Sequence, residues 1–126
     1  RGVYPAGVLD DADRGWASFF VDDGAVVSPD EGLRGRVDFA AHDVLGDTAA
    51  PAVAVVASFD VVFFRNVLIY LRREARERVL KRLARVVVGG GALVLGAAES
   101  LDDDERFALW PGIEPSCRIY RRKPSA

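Results

Sequence analysis

The stretch from Phe59 to Gly96 constrains the fold more than any other part of this chain. Phe59-Asp60-Val61-Val62-Phe63-Phe64 is an almost unbroken run of β-branched and aromatic residues. It lacks the alternation of a half-exposed strand and predicts a strand covered on both faces, as in a parallel sheet. Leu71, Ala75, Val79, Leu80, Leu83, Val86 and Val87 then recur at three- and four-residue spacing, which predicts an amphipathic helix. Glu74–Arg78 and Glu77–Lys81 add i,i+4 pairs in the favourable order. Gly89-Gly90-Gly91 reads as the cap and turn that stop the helix, and Ala92-Leu93-Val94-Leu95-Gly96 as a second buried strand. Strand, helix and strand with short joints make a βαβ unit, so the two strands are expected to be parallel.

The flanks contribute antiparallel pieces. Phe19-Phe20-Val21 and Ala25-Val26-Val27 bracket the turn Asp22-Asp23-Gly24 and predict a small β-hairpin. A short strand is expected at Val37-Asp38-Phe39, and residues 47–58 read as a connector. Ser100 followed by Asp103 predicts a capped helical turn. Phe107-Ala108-Leu109-Trp110 and Cys117-Arg118-Ile119-Tyr120-Arg121 flank a Pro-Gly turn and predict a closing hairpin. The fold class is therefore α/β with an antiparallel edge.

Composition excludes several functions. A net charge of −2 gives no electrostatic case for nucleic acid or acidic lipid. No apolar run approaches the ~18 residues that cross a bilayer, so no membrane insertion is expected. Cys117 is the only cysteine, which rules out an internal disulfide and points to a reducing compartment. The chain has no methionine and opens at Arg1, which suggests a piece of a longer polypeptide.

Most candidate chemistry fails on context. The triple glycine follows a helix and opens a strand, the reverse of a dinucleotide-binding loop. Counting from Asp11 as a calcium loop puts Gly15, Trp16 and Asp22 where an oxygen ligand, glycine and glutamate are needed. The acids from Asp102 to Glu105 suit a helix start. His42 and Cys117 alone are too few for zinc, and nothing local supports them as a nucleophilic pair. Arg72, Arg73, Arg76, Arg82 and Arg85 form a basic helix face, either solvated or presented to an acidic partner. There remains Phe64-Arg65-Asn66-Val67-Leu68-Ile69-Tyr70, at the carboxyl end of the first buried strand, where open α/β sheets bind ligands. The bland alternative has Asn66 capping the helix and Arg65 in a structural ion pair.

The run from Phe59 to Tyr70, with Gly89-Gly90-Gly91-Ala92-Leu93-Val94-Leu95-Gly96-Ala97-Ala98-Glu99-Ser100, resembles the C-terminal half of the CheR-type chemotaxis receptor methyltransferases. That family carries F-D-x-I-F-C-R-N-V-x-I-Y, an amphipathic helix, and P-G-G-x-L-x-L-G-H-S-E-S. The likeness extends more faintly to Gly2-Val3-Tyr4, to Trp16–Phe20, to Val37–Leu45 and to Arg118-Ile119-Tyr120-Arg121. Departures are Phe64 in place of cysteine, Ala97-Ala98 in place of His-Ser, and no counterpart of the glycine-rich first loop or of the acidic residue after the second strand.

The resemblance implies part of a class I, Rossmann-like methyltransferase sheet. A small β-hairpin subdomain would occupy roughly residues 14–40, and the second half of the sheet, with its closing antiparallel hairpin, residues 41–126. It implies S-adenosylmethionine as cofactor, S-adenosylhomocysteine as product, and methylation of glutamate on chemoreceptor helices by a cytoplasmic enzyme. By resemblance, Asp43 and Val44 contact the adenine, Arg65 and Asn66 line the cofactor and active site, and Tyr70 sits near the transferred methyl. No metal is implied. Glutamate has a reference pKa of ~4.3, so it needs no general base at neutral pH, and alignment and exclusion of water dominate. A whole sheet of this type needs roughly 160 residues or more, so the upstream half of the catalytic domain is expected before Arg1. The alternative function is a non-enzymatic, methyltransferase-like module used for protein interaction or regulation.

Overall fold

A computed structural model describes residues 2–5, 7, 14–48, 50–51, 58–101 and 104–124, which separate into two units, 1–39 and 40–126. The first unit holds β1 (Tyr4–Pro5), α1 (Arg14–Ala17), β2 (Phe20–Asp22), β3 (Val26–Pro29) and α2 (Glu31–Arg34). β3 lies between β1 and β2 and is antiparallel to both. The expected hairpin is therefore present, with β1 added on its far side. Its turn closes because Gly24 takes φ +89° while the Asp23 carboxylate accepts the N–H groups of Ala25 and Val26. Those backbone donors, led by Val26, hold the Asp23 carboxyl below its ordinary pKa. Val27 is the buried residue of this small sheet.

The strand expected at Val37–Phe39 does not form. Asp30 caps α2 through the Leu33 N–H at 2.6 Å, and the chain then turns, with the Val37 N–H donating to the Arg34 carbonyl. No described strand lies alongside to take the backbone hydrogen bonds of this segment, and Phe39 is 93% exposed.

The second unit contains β4 (Phe59–Phe64), α3 (Arg73–Val86), β5 (Val87–Leu95), β6 (Phe107–Leu109) and β7 (Ile119–Arg122), in the sheet order β4-β5-β7-β6. β4 and β5 are parallel, as a βαβ unit requires, and β7 runs antiparallel to both β5 and β6. The unit is thus a mixed α/β sheet with the closing hairpin at one side. α3 lays Val79, Leu80, Leu83 and Ala84 on the sheet, in one cluster with Leu93, Leu95, Phe107 and Tyr120.

Three local readings are corrected. First, β4 is not covered on both faces among the described residues. Phe64 is buried and Val62 packs on the core, but Val61 and Phe63 alternate with them onto an open face, and Phe63 is 72% exposed. α3 covers one side only. Second, the triple glycine is no cap. α3 passes directly into β5 at Val87, whose extended backbone donates its N–H to Leu83. The glycines instead form a bulge inside β5: Phe59 pairs with Val87, whereas Val61 already pairs with Ala92. Gly90 sits at φ +84°, and a Cβ on Gly91 would lie 2.8 Å from the Asp60 carbonyl oxygen.

Third, the basic helix face is not simply solvated. Arg76 donates to the Ser100 carbonyl, and Arg82 donates to the Val44 carbonyl at 2.8 Å. Glu77 pairs with Arg106 at 2.9 and 3.0 Å rather than with Lys81. Asp104, at 2.7 Å, completes that cluster. The capped turn expected at Ser100–Asp103 and the acids Asp10, Asp11 and Asp13 fall outside the described residues in whole or part. No described helix is long and apolar enough to cross a membrane.

Candidate functional site

The polypeptide leaves β4 at buried Phe64 and must reverse direction within a few residues to start α3. Asn66 makes this possible by adopting φ +59°, a left-handed conformation that asparagine tolerates better than most residues. The reversal is not held by a helix cap, since Arg72, not Asn66, occupies that position of α3. It is held by Glu99, which is 2% exposed and follows the end of β5. Glu99 Oε2 accepts the N–H of Asn66 at 2.8 Å and of Gly96 at 2.7 Å. Its Oε1 accepts the N–H of Leu68 at 2.7 Å and of Ile69 at 3.4 Å. One carboxylate therefore ties the carboxyl ends of two neighbouring parallel strands together.

Burial by itself raises a carboxyl pKa, but the converging N–H donors of Gly96, Asn66, Leu68 and Ile69 outweigh it. Glu99 stays below its ordinary value and carries its charge at neutral pH. Gly96 is required by the same contact: a Cβ there would sit 2.2 Å from Asn66 Oδ1 and 2.9 Å from the Asn66 nitrogen. Behind this knot the buried Tyr120 hydroxyl accepts the Leu101 N–H at 3.2 Å, anchoring the segment that carries Glu99.

After the knot comes a single 3-10 turn, Leu68–Tyr70. Leu68 is the buried peg, whereas Tyr70 is 80% exposed and presented outward. Arg65 is also exposed, and among the described residues it has no hydrogen bond or ion pair of the kind the structural alternative requires. Arg65, Asn66 and Tyr70 thus share one rigid connection at the carboxyl end of β4.

Asp43 and Val44 belong to a different segment. Asp43 Oδ1 accepts the Leu45 N–H at 2.8 Å, which closes a local turn, and the Gly46 N–H bonds the Asp43 carbonyl. The second carboxylate oxygen of Asp43 has no described partner. Val44 packs on the core, its carbonyl taken by Arg82, while its N–H has no described acceptor. Val44 lines an apolar groove of about 390 Å³ together with His42, Phe59, Val62 and Phe63. Phe63 and Phe64 line the wall and are followed at once by Arg65, but Arg65, Asn66 and Tyr70 are not themselves part of the lining. Cys117 lies exposed in the 3-10 turn before β7 and does not line the groove with His42.

This arrangement suits part of an adenosine-type cofactor. An apolar groove accepts a purine ring, and the strand end that forms its wall leads to polar groups, although Asp43 is not itself part of the lining. Sequence reasoning missed Glu99 and Gly96. The available signal was an acid just past the end of a buried strand, at a place where a lone carboxylate is costly unless the backbone satisfies it.

The family model described as "CheR methyltransferase, SAM binding domain" matches residues 1–112. A chemotaxis protein methyltransferase 1 of Pseudomonas aeruginosa is 38% identical over 95 residues, covering 72% of this chain and 31% of that protein. A chemotaxis protein methyltransferase of Vibrio parahaemolyticus is 42% identical over 74 residues, covering 56% of this chain and 25% of that protein. Chemotaxis protein methyltransferase Cher2 of Pseudomonas putida is 37% identical over 95 residues, again covering 72% and 31%. The chain thus spans a third or less of the length of these relatives. With S-adenosylmethionine as the cofactor of the domain so matched, the chain belongs to the CheR methyltransferase family, within its S-adenosylmethionine-binding domain.

Proposed function

We propose that this chain supplies the C-terminal part of the S-adenosylmethionine site of an enzyme that methylates glutamate side chains on chemoreceptor-type proteins in the cytoplasm. In this reading residues of roughly 14–40 are its small β-subdomain and 41–126 the second half of its catalytic sheet. The observation that carries it is the connection Arg65–Tyr70. A buried carboxylate immobilises its backbone, while an exposed guanidinium, unpaired among the described residues, and an exposed phenol belong to it.

Each residue then has a definite task. Asp43 accepts the adenine amine through its open oxygen, and Val44 offers its N–H and an apolar wall. Asn66 lines the cofactor beside the glycine at the end of β5. The bound cofactor supplies an electrophilic sulfonium methyl. Arg65 holds the substrate carboxylate by charge-assisted hydrogen bonds, and Tyr70 steers one of its oxygens. No proton has to be removed, because a glutamate with a reference pKa of ~4.3 is ionised at neutral pH. The protein's contribution is alignment and displacement of water from the carboxylate.

The test is methyl transfer from labelled cofactor to receptor helices by the full-length protein. Alkali-labile label on glutamate supports the reading, and its absence, or label on another residue type, refutes it.

A further inference from the structure

We propose that Glu99 is a positioning residue for methyl transfer: its buried carboxylate fixes Asn66 and the Leu68–Tyr70 turn against Gly96, and so sets where Arg65 and Tyr70 point. This deepens the site assignment above and rests on it.

Four features carry the inference. Among the described residues, every hydrogen bond of the Glu99 carboxylate comes from a backbone N–H. Its two oxygens divide the work, one bonding across the strand ends to Asn66 and Gly96, the other bonding the turn at Leu68 and Ile69. The connection it restrains includes a left-handed asparagine, a conformation that persists only where the surroundings determine it. Finally, Glu99 is itself only 2% exposed, so solvent cannot take over the N–H groups that its carboxylate satisfies. A carboxylate placed there does what an apolar side chain of similar size cannot, which is to orient four N–H groups at once.

Glutamine keeps the volume but has one acceptor oxygen and an amide group that itself donates. Glu99→Gln therefore satisfies one pair of N–H groups and repels the other. In the full-length protein the amide resonances of Asn66, Leu68 and Gly96 are expected to move and to lose hydrogen-exchange protection. With rates normalised to cofactor-binding protein, kcat falls about a hundredfold, the scale of a misplacement near 1 Å, while KM for the cofactor changes far less. A purely structural role would reduce the folded fraction and leave normalised kcat intact. Gly96→Ala, which displaces Asn66 and retains the carboxylate, is the second variant and is expected to reproduce the kcat loss; it carries the kinetic test should Glu99→Gln fail to fold. Unmoved amides in folded Glu99→Gln, or wild-type normalised kcat in either folded variant, overturn the role of Glu99. A wild-type protein that binds no S-adenosylmethionine overturns the site assignment instead.

Discussion

The carboxylate of Glu99 accepts the backbone N–H of Asn66 at 2.8 Å, across a sequence separation of 33 residues. This bond joins the end of β5 to the start of the connection after β4, and it makes the strand ends one structural unit. Charge-assisted bonds of this type contribute roughly 1.5–3 kcal/mol each, and an orphaned buried N–H costs a further ~1–3 kcal/mol. Glu99→Gln is expected to lower the unfolding free energy by about 3 kcal/mol in urea titration at pH 7, with an unchanged m-value.

The same carboxylate makes stability depend on acid. Its folded pKa lies below the ordinary glutamate value of 4.5, so the unfolded chain binds the proton more readily. The contribution is complete above about pH 4.5 and is lost as pH falls through the depressed folded value. The stability gap between wild type and Glu99→Gln should therefore be constant from pH 7 down to about 5 and shrink below 4.5. Asp104 is depressed as well, chiefly by Arg106 acting against burial, but it titrates in both proteins and cancels in the difference.

Gly96 and Asn66 can be separated by substitution. Alanine at position 96 collides with the Asn66 side chain and nitrogen, and should cost about 2 kcal/mol. Asn66→Gly keeps the left-handed backbone at little cost, whereas Asn66→Ala should lose about 1 kcal/mol. Thermal denaturation of the three variants checks the order.

Arg106 is the hub of a second cluster, bonded twice to Glu77 and to the nearly buried Asp104 carboxylate. These partners, Asp104 foremost, raise its pKa, so its charge persists across the accessible pH range. Because Glu77 is exposed, its share is small, and most of the effect of Arg106→Met comes from stranding Asp104. A loss of about 1–2 kcal/mol at pH 7, shrinking in acid as Asp104 protonates, is the expected outcome in chemical denaturation.

Much of the second unit was legible from side-chain periodicity. The apolar run at Phe59–Phe64, the three- and four-residue spacing from Leu71 to Val87 and the β-rich run after Gly91 fixed a parallel βαβ core. What periodicity could not show was where irregular backbone goes. Three consecutive glycines suit a cap and a bulge equally well, and only the pairing of Val61 with Ala92 decides between them. Likewise Val37-Asp38-Phe39 has strand chemistry but no neighbouring strand among the described residues, and a strand is a property of two segments. At the site, Arg65, Asn66 and Tyr70 were visible as a polar group at a strand end. The role of Glu99 was hidden because its partners are backbone N–H groups, which nearly every residue possesses, so its position just past a buried strand was the signal available.

The central claim is that the connection carrying Arg65 and Tyr70 presents a glutamate carboxylate to S-adenosylmethionine. Arg65→Met in the full-length protein tests it most directly, with methyl-ester formation on receptor glutamates measured beside cofactor affinity. The account predicts a loss in ester formation of at least about a hundredfold, the scale of removing one preorganised electrostatic partner, with cofactor affinity changed far less. Wild-type ester formation by Arg65→Met would contradict it.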